Sequence, residues 1–160
     1  MTSKYLTSIC LILGSIIPII VDTSHTHLFN VDWDEHSRVH EVWRLVTNLS
    51  IAVVGLYILW FKNYSFLPAI LSTCIIFGFF IAVITMPLYD GLAIGEGIQE
   101  PNPFGIPANI FLFMIIGTLQ FISILILLKK KTNWYSSNLS ISCKIRICQK
   151  KINLNLRVKL

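Results

Sequence analysis

The sequence predicts an all-α integral membrane protein, a four-helix antiparallel bundle with both termini in the cytoplasm. Of the 160 residues, 54% are hydrophobic and only 13% are charged, whereas a soluble domain carries about a quarter charged residues. Four apolar runs are long enough to cross a bilayer as helices, and they cover residues 5–21, 43–61, 66–86 and 108–128. Basic residues flank these runs on one side of the membrane, and this asymmetry predicts the orientation.

The first apolar run, residues 5–21, follows Lys4 and has two interpretations. A basic start and a hydrophobic stretch are typical of a signal peptide. No small-x-small cleavage motif follows, because the run leads into Asp22-Thr-Ser-His. We therefore interpret it as an uncleaved first transmembrane helix.

The second run belongs to a helix that we expect to begin well before the membrane. Asp32 is a good N-cap residue, and Glu35 three positions later completes a variant of the capping box. A helix from Trp33 to Phe61 would be about 43 Å long at about 1.5 Å per residue, which exceeds the roughly 30 Å hydrocarbon core. Its first turns should therefore project into or beyond the headgroup region.

The membrane domain is predicted to cover residues 1–128. The sequence of its second half predicts a helical hairpin, a loop and a final span. The polar turn 62–65 is short enough to impose an antiparallel hairpin, and Pro87 ends the third span. The Gly- and Pro-rich stretch 91–107 is interpreted as a flexible lid with Asp90 at its root. Three lysines, 129–131, end the fourth span, and residues 129–160 are interpreted as a disordered basic tail without a function.

The basic residues that flank the spans predict that the candidate functional residues lie on one side of the bundle. Lys4, Lys62 and the lysines 129–131 mark the cytoplasmic side, so all acids and histidines of the predicted loops lie on the extracytoplasmic side. Nine of the 13 basic residues lie after Leu128, and no folded basic module is visible, which argues against nucleic-acid binding. The predicted partners are the lipid bilayer and either another membrane protein or a second copy of the chain.

Two histidines on the protruding helix are the first candidate site. His36 and His40 are four residues apart and share one helix face, so they can hold one divalent metal ion, as the HExxH helix does. The motif's glutamate is missing here. Further ligands are expected from His25, His27, Asp34 or Asp90. The alternative interpretation is a solvated helix end in which Glu41 pairs with Arg44 at i,i+3.

The same residues also suggest catalysis without a metal. Histidine beside a carboxylate can transfer protons near neutral pH, and the candidate catalytic residues are His36, His40, Glu41, Asp90 and Glu96. No nucleophile motif accompanies them. Arg44 is the only charged residue within the predicted spans, which argues against an ion pump or a charge-coupled transporter.

The segment H-L-F-N-V-D-W-D-E-H-S-R-V-H, residues 27–40, resembles a segment of small, uncharacterised four-span membrane proteins that are broadly DoxX-like in size and layout. Their version reads H-L-F-N-P-x-W-P-P-H-A-R-x-H. The segment departs from it where prolines would stand, at Val31, Asp34 and Glu35. The resemblance covers residues 1–128 and implies the four-span fold, but it supplies no activity.

These observations support two hypotheses about function. The first is a non-enzymatic accessory or ligand-binding membrane component with a His/acid cluster on its extracytoplasmic face. The alternative is a membrane-interface enzyme that uses His36 and His40, with or without a metal ion, on a lipid-like or redox substrate.

Overall fold

A computed structural model describes residues 1–92 and 101–157, with side chains described up to Asn133. The regular secondary structure of the described residues is helical. The four helices are α1 (Thr2–Asp22), α2 (Glu35–Phe61), α3 (Phe66–Thr85) and α4 (Ala108–Arg157), with single 3₁₀ turns at Met86–Leu88 and Pro103–Gly105.

The four helices are long and apolar enough to cross a membrane. The qualifying segments are Thr2–Asp22, Glu35–Phe61, Phe66–Leu88 and Ala108–Asn133, with mean hydropathies of 2.0, 1.7, 2.5 and 2.6. Large apolar side chains remain exposed on the outside of the bundle, for example Ile20, Phe61 and Ile84. In a bilayer these side chains face lipid, and the helical backbone satisfies its own hydrogen bonds. The predicted all-helical fold with four helices of membrane-spanning length is confirmed for the described residues, and it supports a multi-pass membrane protein.

Within the first compact unit, residues 1–124, helix α1 packs against the other three helices. Its Cys10 packs with Ile76 of α3 and Ile116 of α4, and its Leu11 packs with Ala52 of α2 and Ile75 of α3. Small residues allow this close approach, as is common where membrane helices meet.

Polar side chains link the helices at depth. The fully buried Ser123 hydroxyl of α4 lies 3.0 Å from Ser3 Oγ and 2.8 Å from Thr7 Oγ1 of α1. Gln120 Nε2 of α4 donates to the Ala69 carbonyl of α3 at 2.8 Å. These hydrogen bonds satisfy groups that would otherwise face hydrocarbon, so they help to set the rotation of α4 against α1 and α3.

The start of α2 differs from the prediction. Asp34, not Asp32, is the N-cap, and its Oδ1 accepts the Ser37 N–H at 3.0 Å. Hydrogen bonds from the Ser37 hydroxyl and N–H lower the pKa of Asp34. The Asp32 N–H instead donates to Asn30 Oδ1. Both aspartates satisfy the sequence rule for a cap, and the preceding turn decides between them.

That turn is closed by the guanidinium group of Arg38. Arg38 Nη2 donates to the carbonyls of Asn30 at 2.8 Å and of Trp33 at 3.2 Å. With the carbonyls of Asn30 and Trp33 held in this way, the chain enters the helix at Glu35. The expected projection remains, because α2 is 27 residues long and therefore spans about 40 Å.

The end of α4 also differs from the sequence interpretation. The helix assigned as α4 extends to Arg157, whereas we expected a disordered tail after Leu128. No glycine or proline occurs after Gly117, so no residue breaks the helix there. Most of the predicted lid, residues 93–100, lies outside the described residues.

Candidate functional site

The polar chemistry gathers at one end of the bundle. The last turn of α1, the connector 23–34, the first turns of α2, the segment 86–92 after α3 and the start of α4 lie at this end. Every acid and histidine whose side chain is described belongs to these segments. The antiparallel order of the helices produces this arrangement, because the two connections that carry these residues emerge from the same end.

An ion network joins α1 to α2 at this end. Arg44 forms a fork with Glu41, in which Nε lies 3.1 Å from Oε2 and Nη2 contacts Oε1. The same Nη2 also contacts Asp22 Oδ2. The side chains of Asp22 and Glu41 are only 16% and 12% exposed, so the network is shielded from solvent on its acidic side. The Glu41–Arg44 pair was predicted from the i,i+3 spacing, whereas the contact with Asp22 was not.

A cavity of about 740 Å³ lies directly beneath this network, among the four helices. Its polar lining consists of Asp22, His27, Arg44, Asn48 and Asn109. Most of the remaining lining is apolar and includes Ile17, Ile75, Phe79, Leu112 and Phe113. The cavity is therefore amphipathic, with ionic and amide groups among a mainly hydrocarbon wall.

The predicted histidine pair forms, but outside the cavity. His36 Nε2 and His40 Nε2 are 2.9 Å apart, and the His40 ring stacks on Trp43 with a centroid distance of 6.0 Å. Both histidines are exposed. Among the described residues, no group of three or more His, Cys, Asp or Glu side chains is placed so that it could hold a metal ion. The pair thus offers two imidazole nitrogens to a metal ion, and the divalent metal site stays a prediction.

The other predicted ligands are dispersed. His25 is exposed beside Phe29, with ring centroids 6.2 Å apart. His27 packs edge-on against Trp33 at 6.0 Å, and its Nε2 lies 3.8 Å from Asp22 Oδ1. Asp34 is occupied in the helix cap. Of the predicted histidines, His27 is the one that lines the cavity.

The predicted catalytic acids do not converge on the histidine pair. Glu41 belongs to the Arg44 fork. Asp90 is exposed in the turn after α3, where its φ of 54° places it in the left-handed region that aspartate tolerates better than most residues. Glu96 lies outside the described residues. A catalytic arrangement around His36 and His40 stays a prediction.

The sequence interpretation missed the cavity-lining residues on three helices. Asn48 of α2, Cys74 and Gly78 of α3 and Asn109 of α4 all contact it. A Cβ atom added at Gly78 would have no neighbour within 4 Å, so this glycine leaves open space. Small or polar residues at the same end of several apolar spans were the available signal.

Comparison with known proteins supplied no relative. No family model, no curated protein and no solved structure matches this chain. The resemblance to DoxX-like four-span proteins therefore stays a prediction.

Proposed function

We propose that this protein is a non-enzymatic, ligand-binding component of a membrane and that it holds a lipid-like amphipathic molecule in the cavity among its four helices. The observation that carries the proposal is the cavity itself, about 740 Å³ in volume, with an ionic network above apolar walls. Small-molecule sites typically measure about 300–1,000 Å³ and combine a mostly apolar lining with a few polar groups.

The distribution of polar groups favours an amphiphile over a uniformly apolar molecule. The side chains of Asp22, Arg44 and Asn48 can hold a polar head group, while the walls from α3 and α4 accommodate a hydrocarbon tail. Because the bilayer also surrounds an alkyl chain with hydrocarbon, the apolar walls contribute through close packing, and the contacts with the polar head group provide the preference for the cavity.

The histidine pair gives less support to the enzymatic alternative. His36 and His40 lie on an exposed helix face and do not line the cavity. A substrate bound in the cavity would therefore not reach them in this conformation. Their 2.9 Å separation fits a shared proton or a shared metal ion, which is a local property of the i,i+4 spacing.

Alkylation of Cys74 tests the proposal, because this exposed thiol lines the cavity. In a Cys143→Ser/Cys148→Ser variant, the only thiols are Cys74 and Cys10. Cys10 is 1% exposed and should react slowly. We expect at least one of three amphiphiles of equal chain length, dodecylamine, dodecanol or dodecanoic acid, to slow N-ethylmaleimide labelling of Cys74 in phosphatidylcholine vesicles by roughly tenfold, the factor set by about 90% occupancy.

A cavity-filling variant provides the control for that experiment. Gly78→Leu places its side chain in open space, so we expect the folded protein to lose the protection by amphiphile. Ile84→Phe, at a lipid-facing position on the same helix that is 71% exposed, should retain it. Protection of equal strength in Gly78→Leu, or the absence of protection in the parent protein by all three amphiphiles, would contradict the proposal.

The cavity end is proposed to face the extracytoplasmic side, with both termini in the cytoplasm. The support is the basic cluster at the opposite end, where Lys4 Nζ lies 3.1 Å from Asn63 Oδ1 and 4.2 Å from the centroid of the Trp60 ring. Basic residues beside spans favour the cytoplasmic side. In a chain without native cysteines, an impermeant maleimide applied to intact cells should label Val31→Cys but not Tyr64→Cys. The reverse pattern, or equal labelling, would show that the orientation is wrong.

A further inference from the structure

The polar end of the cavity carries more negative than positive charge. Arg44 supplies one positive charge, whereas Asp22 and Glu41 supply two negative charges. Among the described cavity-lining residues, α3 and α4 contribute no charged side chain. Asp22, Glu41 and Arg44 together therefore carry a net charge of −1 and lie beside a wall of low polarity, where charges act strongly.

The guanidinium group of Arg44 already contacts two carboxylates, those of Glu41 and Asp22. Its Nε and Nη2 form the fork with Glu41, and Nη2 also contacts Asp22. An anionic head group could still approach Nη1, which makes no hydrogen bond with a described residue, but it would lie beside two carboxylates whose charge outweighs that of the guanidinium group. The network therefore disfavours carboxylate or phosphate head groups, although it contains an arginine.

One carboxylate oxygen of Asp22, Oδ1, is available as a hydrogen-bond acceptor. Its Oδ2 contacts Arg44, but Oδ1 has no donor within hydrogen-bond distance among the described residues, since His27 Nε2 is 3.8 Å away. The Asp22 side chain is 16% exposed and lines the cavity. A carboxylate oxygen in such a setting gains most from a charged donor, because charge-assisted hydrogen bonds are the stronger ones.

We infer that the cavity selects amphiphiles with a protonated amine head, whose ammonium group donates to Asp22 Oδ1 while the alkyl chain lies against α3 and α4. This inference rests on the proposed ligand-binding function and adds the chemical class of the head group. The amide groups of Asn48 and Asn109 stand beside the same space and impose no opposing charge.

The three amphiphiles of the Cys74 experiment test the head group separately from the binding function. At neutral pH, dodecylamine should protect Cys74 at a concentration roughly tenfold lower than dodecanol, the lower end of the effect expected from a hydrogen bond to a charged group. Dodecanoic acid should protect least. If dodecanol or dodecanoic acid protects as well as the amine, the head-group inference is overturned and the binding function stands. If none protects, the binding function itself fails.

Removal of the acceptor charge provides a second measurement. Asp22→Asn should abolish the preference for dodecylamine over dodecanol, while the fork between Glu41 and Arg44, which lies within α2, remains. Asp90→Asn, an acid at the same end of the bundle that does not line the cavity, should leave the preference unchanged. A preference that survives in Asp22→Asn would exclude Asp22 as the acceptor. If this variant does not fold, the comparison of the three amphiphiles in the parent protein still tests the head-group preference.

Discussion

Replacement of Arg44 by leucine is expected to lower the free energy of unfolding by about 2 kcal/mol, because it leaves two shielded carboxylates without their counter-ion. The Asp22 and Glu41 side chains are 16% and 12% exposed, whereas Arg44 is 44% exposed. Breaking a fully buried pair costs about 3–5 kcal/mol, and partial solvent access reduces that penalty. Chemical denaturation of the detergent-purified protein, followed by tryptophan fluorescence, measures the change.

A triple variant separates the electrostatic cost from the loss of the arginine stem. Asp22→Asn/Glu41→Gln/Arg44→Leu removes all three charges and should regain most of the stability lost in Arg44→Leu. Arg44→Lys should be intermediate, since a lysine retains the charge but cannot form the bidentate fork. A triple variant as unstable as Arg44→Leu would contradict the explanation and would indicate that packing of the arginine stem dominates.

Replacement of Gly55 by leucine should have the larger effect, about 3 kcal/mol of lost stability, because overpacking forces neighbouring groups apart. A Cβ at Gly55 would lie 2.9 Å from Leu11 Cδ1 and 3.3 Å from Leu11 Cδ2. Leu11 is completely buried and packs against Ala52 and Ile75, so it has no space to rotate away. Helices α1 and α2 would have to separate. The thermal midpoint of the purified protein should fall accordingly.

Gly78→Leu is the matched control for Gly55→Leu. Both changes replace a helical glycine by leucine, so the gain in stability from helix propensity is the same in both, about 0.8 kcal/mol. The added side chain meets Leu11 at one site and open space at the other. Equal thermal midpoints for the two variants would show that close packing of α1 against α2 does not limit stability.

Local spacing in the sequence correctly predicted the contacts made within one helix. The i,i+4 histidines do lie together, with 2.9 Å between His36 Nε2 and His40 Nε2, and the i,i+3 pair Glu41–Arg44 forms its fork. These contacts follow from helix periodicity alone. The same rule was ambiguous at the start of α2, where Asp32 and Asp34 both satisfy the cap pattern. There the structure identifies Asp34 as the N-cap, and Arg38 contacts the Asn30 and Trp33 carbonyls in the preceding turn, which the spacing did not reveal.

The sequence by itself determined the four apolar helices and their approximate limits. The predicted starts at residues 66 and 108 coincide with the first residues of α3 and α4. The predicted end at residue 61 coincides with the last residue of α2. Hydropathy is informative here because the thickness of the hydrocarbon core sets the length of a span.

Only the tertiary structure decided which side chains meet between helices, and hence where the cavity lies. The contact between Asp22 and Arg44 and the open space at Gly78 depend on how each helix is rotated about its axis. Spans that are apolar on nearly every face carry little periodic signal for that rotation. It is set instead by close contacts of small residues and by a few buried hydroxyl and amide groups, whose partners lie far away in the chain.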